Sequence, residues 1–348
     1  MPAPVVDLRS DTVTKPSAAM RQAMFEAEVG DDVYREDPTV NRLQDRAAEI
    51  FGREAGLYVV SGTMGNQTAI KVLTRHGQEV ICEERCHIYN FEMGMVAAFS
   101  GVVPRTVHGQ DGILTWDVIA PHVRSRNDHR ARTGLIELEN TSNLAGGSVY
   151  PLANLTDIVD RAHAAGLPVH LDGARIFNAS VASGKSVVEL TKGFDSVMFC
   201  LSKGLGAPVG SMLVGSKEFI EEARIVRKML GGGMRQAGVL AAAGLIALEE
   251  GPKRLHIDHA NAKFLAQELA EIPGIKIDAA KVVTNILFFD VSGTGLTGYE
   301  ISKLLAAQGV LANATNPQVI RMVTHLDVDR AGCERALEVL REVVAAPI

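Results

Sequence analysis

Lys203 follows the apolar run Val197–Leu201 and precedes Gly204-Leu205-Gly206. Lysines ordinarily sit on solvated faces. At the end of a buried strand the residue has two readings. It snorkels to water, or it stands out of water as an amine able to condense with an aldehyde. Asp172 lies upstream, in Leu171-Asp172-Gly173-Ala174-Arg175, directly after the apolar run Pro168–Leu171. A carboxylate placed there needs a cationic partner. Arg175 is one candidate, and the protonated ring nitrogen of a cofactor is the other. A third group, Ser61-Gly62-Thr63-Met64-Gly65-Asn66, follows the run Leu57–Val60. Small residues let backbone N–H groups approach an anion, and a helix start adds about half a positive charge. This turn is therefore a candidate phosphate site, with a capped helix start as the plain alternative. The turn has neither G-x-x-x-x-G-K-[ST] nor G-x-G-x-x-G spacing, which excludes those two nucleotide-binding loops.

These residues need a scaffold that brings strand ends together. Strand-length apolar runs occur at Leu57–Val60, Glu79–Cys82, Leu135–Leu138, Pro168–Leu171, Val197–Leu201 and Ser211–Val214. Helical spacing of apolar residues appears in Gln67–Arg75, Leu152–Ala165 and Lys217–Met229, and Ser17–Glu28 and Thr39–Phe51 read as earlier helices. The alternation predicts an α/β fold with a mainly parallel sheet covered on both faces. Ligands in such sheets bind beyond the carboxyl ends of the strands. A phosphate turn, a strand-end Asp and a strand-end Lys, in that order, match pyridoxal phosphate (PLP) enzymes of the aspartate-aminotransferase fold.

After about Gly251 the rhythm changes. A helix at Leu255–Glu271, a strand at Ile286–Val291, a helix at Tyr299–Gln308, a strand at Val319–Val323 and a helix at Arg330–Val344 read as a smaller α+β domain. The expected organisation is an N-terminal arm over 1–15, a large cofactor-binding domain over 16–250 and a small domain over 251–348. The 348 residues are 47% hydrophobic with a net charge of −6, and they contain no long basic run. That balance predicts no nucleic-acid partner and no anionic membrane partner. No apolar run approaches the roughly 20 residues of a membrane span. The start of the chain lacks a basic segment followed by an apolar one, so a secretory signal is not expected and the cytoplasm is. Cys82, Cys86, Cys200 and Cys333 read as buried thiols. Cys82 and Cys86 beside His87 resemble half a metal site, but no second close pair completes it, so no metal is expected.

The chain resembles the low-specificity L-threonine aldolases nearly end to end. The resemblance rests on Asp7-Leu8-Arg9-Ser10-Asp11-Thr12-Val13-Thr14, Gly30-Asp31-Asp32-Val33-Tyr34, Asp37-Pro38-Thr39-Val40-Asn41, His170-Leu171-Asp172-Gly173-Ala174-Arg175, Leu201-Ser202-Lys203-Gly204-Leu205-Gly206, Gly231-Gly232-Gly233-Met234-Arg235-Gln236 and Val323-Thr324-His325-Leu326-Asp327. It implies fold type I and cleavage of β-hydroxy-α-amino acids to glycine and an aldehyde. It implies that Lys203 carries PLP as a Schiff base and that Asp172 pairs with the pyridine nitrogen. Arg175 would lie beside the phenolic oxygen, Gly62, Thr63 and Met64 would hold the phosphate, and His87 would stack on the ring. Ser10 and Arg321 would bind the substrate carboxylate. Tyr34, Lys228 and Arg235 would reach a neighbouring subunit's site within a homotetramer. One departure stands out. The family reads Glu-Asn-Thr-His-Asn where this chain reads Glu139-Asn140-Thr141-Ser142-Asn143. Ser142 replaces a histidine that lies near the substrate's β-hydroxyl, and a serine is no base near neutral pH. A bound water or His87 would then serve, or activity is low, or the preferred substrate differs; an aldolase preferring a bulkier β-hydroxy amino acid such as phenylserine is one alternative. A PLP β-eliminating lyase is the other alternative.

Overall fold

The computed structural model describes residues 5–345. The described chain divides into two compact units. One is Pro16–Pro252; the other joins the segment through Lys15 to the chain from Lys253 onward. The first strand, β1 (Val6–Asp7), belongs to the latter unit and pairs in parallel with a strand at Val310–Leu311. The segment read as a separate arm is therefore part of the small unit. Its signal was short because two strand residues carry no readable alternation.

The large unit is built on seven strands: β2 (Ala55–Val59), β3 (Glu79–Glu83), β4 (Val103–Val107), β5 (Thr133–Glu139), β6 (Val169–Asp172), β7 (Ser196–Cys200) and β8 (Ser211–Gly215). Their order across the sheet is β2-β8-β7-β6-β5-β3-β4. Neighbours from β7 to β4 run parallel, and β8 is antiparallel to both β2 and β7. Every residue of β3, β5, β6, β7 and β8 is buried, which is why these strands read as apolar runs. The strand β4 went unread. It lies at the sheet edge, half exposed, and its Val-Pro-Arg-Thr-Val sequence includes a proline that an edge tolerates.

The helix Gly62–Leu73 packs on this sheet through glycine. A Cβ on Gly65 would lie 2.5 Å from Met198 Cγ of β7, so only a bare backbone reaches this close. Another core contact joins Phe51 and Phe199, stacked at 4.5 Å, with Phe177 edge-on to both at 5.7 Å.

The small unit holds a three-stranded antiparallel sheet in which Val319–Val323 lies between Asn313–Ala314 and Ile286–Asp290. The helices Gly298–Ala307 and Arg330–Ala345 belong to this unit, and Leu265, Leu269, Ile301, Leu305, Leu337 and Leu340 contribute to its core. The division after Pro252 falls inside a continuous helix, Gly238–Ala270. Gly251-Pro252 was expected to precede the helix; it is instead an interior interruption, flanked by long runs of good helix formers.

Candidate active site

Loops at the carboxyl ends of β2, β3, β5, β6 and β7 carry Gly62–Met64, His87, Ser142, Arg175 and Lys203. After β2, Ser61 caps the helix Gly62–Leu73 by accepting the Met64 N–H at 3.2 Å. The first N–H groups of a helix have no intrahelical acceptor, so Gly62 and Thr63 remain as donors for a ligand. A Cβ on Gly62 would sit 3.1 Å from Cys200 Sγ and 3.3 Å from Met198 Cε, so this turn lies tight on β7. After β7, the Leu201 and Ser202 N–H groups both donate to Gly210 C=O, and Gly206 N–H donates to Lys203 C=O at 2.9 Å. That compact loop, with Gly206 at φ 85°, presents the half-buried Lys203.

Asp172 ends β6 and is 1% exposed. Its Oδ1 accepts the Ala174 N–H at 3.0 Å and its Oδ2 accepts Asn66 Nδ2 at 2.7 Å. His87 opens the short helix after β3, and its Nδ1 lies 2.8 Å from Glu92 Oε1. Ligand-type atoms of His87, Glu92 and Asp172 lie within 4.8 Å of one another. Burial pulls the His87 imidazole's pKa down, but the Glu92 hydrogen bond and the carboxylates of Asp172 and Glu92 outweigh it and leave it raised. Lys203 acts electrostatically on the same ring from nearby.

A set of buried polar residues surrounds this centre that sequence reasoning missed. Asn66, Gln67, Glu92, Glu137, Glu139 and His170 are all at most 5% exposed. Asn66 Nδ2 also donates to Glu92 Oε1 at 2.9 Å, and Gln67 Nε2 donates to Glu92 Oε2. Glu139 accepts two backbone N–H groups at 2.6 Å, from His87 and from Asn143. Burial and then the Asp172 charge push its carboxyl up to about 7. Glu137 is driven up by burial as well, and neither of its oxygens has a hydrogen-bond partner. The available signal was polar residues inside apolar strands: Glu137 and Glu139 in β5, His170 in β6.

All four cysteines are buried thiols, as expected. Glu137 brings its carboxylate to within 4.8 Å of the Cys82 and Cys86 thiols, a third donor that no spacing rule on one segment would find. Arg175 is buried, and its Nη1 donates to Asn143 Oδ1 at 3.4 Å. Ser142 is 2% exposed, and its N–H donates to Ser148 C=O while its C=O accepts from Gly147. A Cβ on Gly112 would lie 2.5 Å from Ser142 Oγ, so the side chain rests against that loop.

The other expected residues fall in two places. Tyr34, Arg235 and Lys228 belong to the large unit. Tyr34 is 71% exposed and follows Asp31, which ion-pairs with Arg235 at 2.9 Å. Lys228 lies in the last turn of the helix Lys217–Met229. Ser10 and Arg321 belong to the small unit. Ser10 caps a short turn by accepting the Thr12 N–H, and Arg321 pairs across its sheet with Phe288 and Asn313.

Residues 7–292 match the family model described as beta-eliminating lyase. Low-specificity L-threonine aldolase 1 of Arabidopsis thaliana is 44% identical over 344 residues, covering 97% of this chain and 96% of its own. The low specificity L-threonine aldolase of Escherichia coli (strain K12) is 45% identical, with 94% and 95% covered. The chain belongs to the low-specificity L-threonine aldolase family. Solved structures agree on the fold: a threonine aldolase of Leishmania major superposes with a TM-score of 0.81 at 22% identity, over 97% of this chain and 99% of that one. A structure described as a putative L-allo-threonine aldolase from Listeria monocytogenes gives 0.78 at 20% identity, covering 96% of each. This is the PLP-dependent fold type I, in a lyase family. The residues present fit PLP. A glycine-bearing helix start offers N–H donors for a phosphate, a fully buried carboxylate suits a pyridinium, and a lysine closes the adjacent strand.

Proposed function

We propose that the protein cleaves L-threonine and L-allo-threonine, and β-hydroxy-α-amino acids generally, into glycine and an aldehyde. The observation that carries the reading is the convergence of Lys203, Asp172 and His87 on one strand-end site, in a chain of this family. Lys203 would anchor PLP, Gly62, Thr63 and Met64 would hold its phosphate, and Arg175 would lie beside its phenolic oxygen. When bound, PLP supplies an electron sink for the pair left on Cα as Cα–Cβ breaks.

The chain's own residues do the rest. Asp172, held by Asn66 and the Ala174 N–H, presents its carboxyl group where a pyridinium would sit. Ser10 and Arg321 would grip the substrate carboxylate, a guanidinium being suited to bidentate binding. That grip would orient the Cα–Cβ bond. The Nδ1–H of His87 donates to Glu92, which leaves Nε2 as the nitrogen able to take a proton from the β-hydroxyl. Tyr34, Lys228 and Arg235 would complete the site of a neighbouring subunit in a cytoplasmic homotetramer; the exposure of Tyr34 supports this reading. Among the described residues no helix is long and apolar enough to cross a membrane.

One observation favours a variant of this reading. Ser142 is small and rests against Gly112, so the position lacks imidazole bulk. This supports activity on bulkier β-hydroxy amino acids such as phenylserine. The test mixes the purified PLP-loaded protein, and its Lys203→Ala variant, with L-allo-threonine, L-threonine and phenylserine, and assays glycine and aldehyde. Aldehyde from the parent and none from Lys203→Ala is the expected result. No aldehyde from any substrate, or an α-keto acid in its place, would overturn the aldolase reading in favour of another PLP reaction.

A further inference from the structure

Asn66 donates from one amide nitrogen to two buried carboxylates, Asp172 at 2.7 Å and Glu92 at 2.9 Å. Ionised carboxylates only accept, so the nitrogen must face them and Oδ1 must face away. That oxygen lies 3.1 Å from His170 Nε2. His170 is completely buried, and burial holds its pKa down at about 4, so the ring is neutral near pH 7. A neutral imidazole has one N–H. Because Asn66 Oδ1 can only accept, that N–H is on Nε2. Nδ1 must then accept, and the Ser196 hydroxyl at 2.7 Å donates to it. Each hydrogen is thereby assigned: Ser196 Oγ–H to His170 Nδ1, His170 Nε2–H to Asn66 Oδ1, and Asn66 N–H to Asp172 and Glu92.

The sheet explains the placement. His170 and Ser196 are register partners on β6 and β7, and Asp172 lies two residues beyond His170 on the same face. The helix Gly62–Leu73 lowers Asn66 onto that face, where the glycine at 65 permits the close approach.

We infer that Ser196, His170 and Asn66 form a one-way hydrogen-bond relay that holds both Asp172 and the Glu92–His87 pair in place, making all three positioning residues for the cofactor site. Asn66 is the joint. It ties the carboxylate assigned to the cofactor's ring nitrogen to the carboxylate that orients His87. The relay thus couples cofactor binding to the tautomer of His87. Glu92 is part of the same device, because three donors (His87 Nδ1, Asn66 Nδ2 and Gln67 Nε2) converge on its two oxygens. The inference rests on the reading of Asp172 as the partner of PLP.

The test uses Asn66→Asp, which keeps shape and removes the donor, and Ser196→Ala, which removes only the far end of the relay. The affinity for PLP is measured by spectral titration, kcat and KM with L-allo-threonine, and thermal melting of the PLP-free protein as a fold control. The loss of a hydrogen bond to a buried charge predicts PLP affinity lower by about ten-fold or more in Asn66→Asp, and a smaller loss of about two- to five-fold in Ser196→Ala. In both, kcat falls while KM stays near the parent value. PLP affinity at parent level in both variants, beside a lowered melting temperature, would overturn the relay, because a packing role moves only the latter. If Asn66→Asp does not fold, Ser196→Ala decides alone. The affinity arm is independent of the reaction, so a parent that binds PLP and releases no aldehyde would sink the proposed activity and leave the relay standing or falling on its own data.

Discussion

Asp32 and Arg227 form an ion pair whose loss should cost more than that of any surface pair in the protein. Arg227 Nη2 meets Asp32 Oδ2 at 2.6 Å, and the side chains are 2% and 1% exposed. Arg227 also donates to the Tyr58 C=O at 2.8 Å, and Arg224 approaches Asp32 Oδ1 at 3.6 Å. Burial lowers the Arg227 pKa, with Asp32 opposing the shift, which identifies Asp32 as its electrostatic support. Asp32→Asn keeps the shape and removes the charge. A buried guanidinium would then face a neutral amide and one carbonyl. Breaking such a pair from one side costs about 3–5 kcal/mol. With a urea m-value of about 3 kcal/mol/M, the midpoint should fall by about 1–1.7 M. Trp116, the one tryptophan, lies in the same unit and can report the transition by fluorescence. The double variant Asp32→Asn/Arg227→Met should recover most of the loss, because replacing both partners removes the unpaired charge. A single-variant shift within about 0.3 M of the parent would refute the reasoning, since it would mean that the charges are effectively solvated. Asp32 also opens the turn Asp32–Tyr34, so if Tyr34 has its proposed role activity should fall alongside stability.

Two further outcomes follow from the site. Glu139 titrates at about 7 in the fold against an ordinary 4.5, so the folded protein binds more protons than the unfolded chain between those values. Stability of the PLP-free protein should therefore fall as pH rises through that window, and Glu139→Gln should flatten the slope; urea midpoints at pH 5 and pH 7.5 check this, and an unchanged slope would contradict it. Ser142→His places an imidazole where Ser142 Oγ already lies 2.5 Å from the position a Cβ on Gly112 would take. The ring must displace the Gly112 loop or turn elsewhere, so stability should fall by about 1–3 kcal/mol, while a shift in the pH profile or in the threonine to allo-threonine preference would place position 142 beside the β-hydroxyl.

The alternation of apolar runs and helical spacings was enough to read the strands that are buried on both faces. The helix Lys217–Met229 and the strand Val319–Val323 have the ends their spacing predicts. Burial on both sides forces a uniform composition, and composition is visible in one dimension. The edge strand Val103–Val107 escaped because an edge imposes no such demand. Lys203 and Asp172 were legible for a similar reason: each is a charge at the end of an apolar strand, and such charges need a purpose. Their surroundings were not legible. Asn66, Glu92, His170 and Ser196 come from one helix, one loop and two strands, and nothing in their spacing relates them. Parallel register sets His170 opposite Ser196, and a glycine-permitted approach of the helix sets Asn66 above them. Glu137 joins Cys82 and Cys86 in the same way, across neighbouring strands. Residue types announced that chemistry occurs at the strand ends. Which hydrogens point at which carboxylates was decided by packing, because a hydrogen bond depends on distance and direction in space and not on separation along the chain.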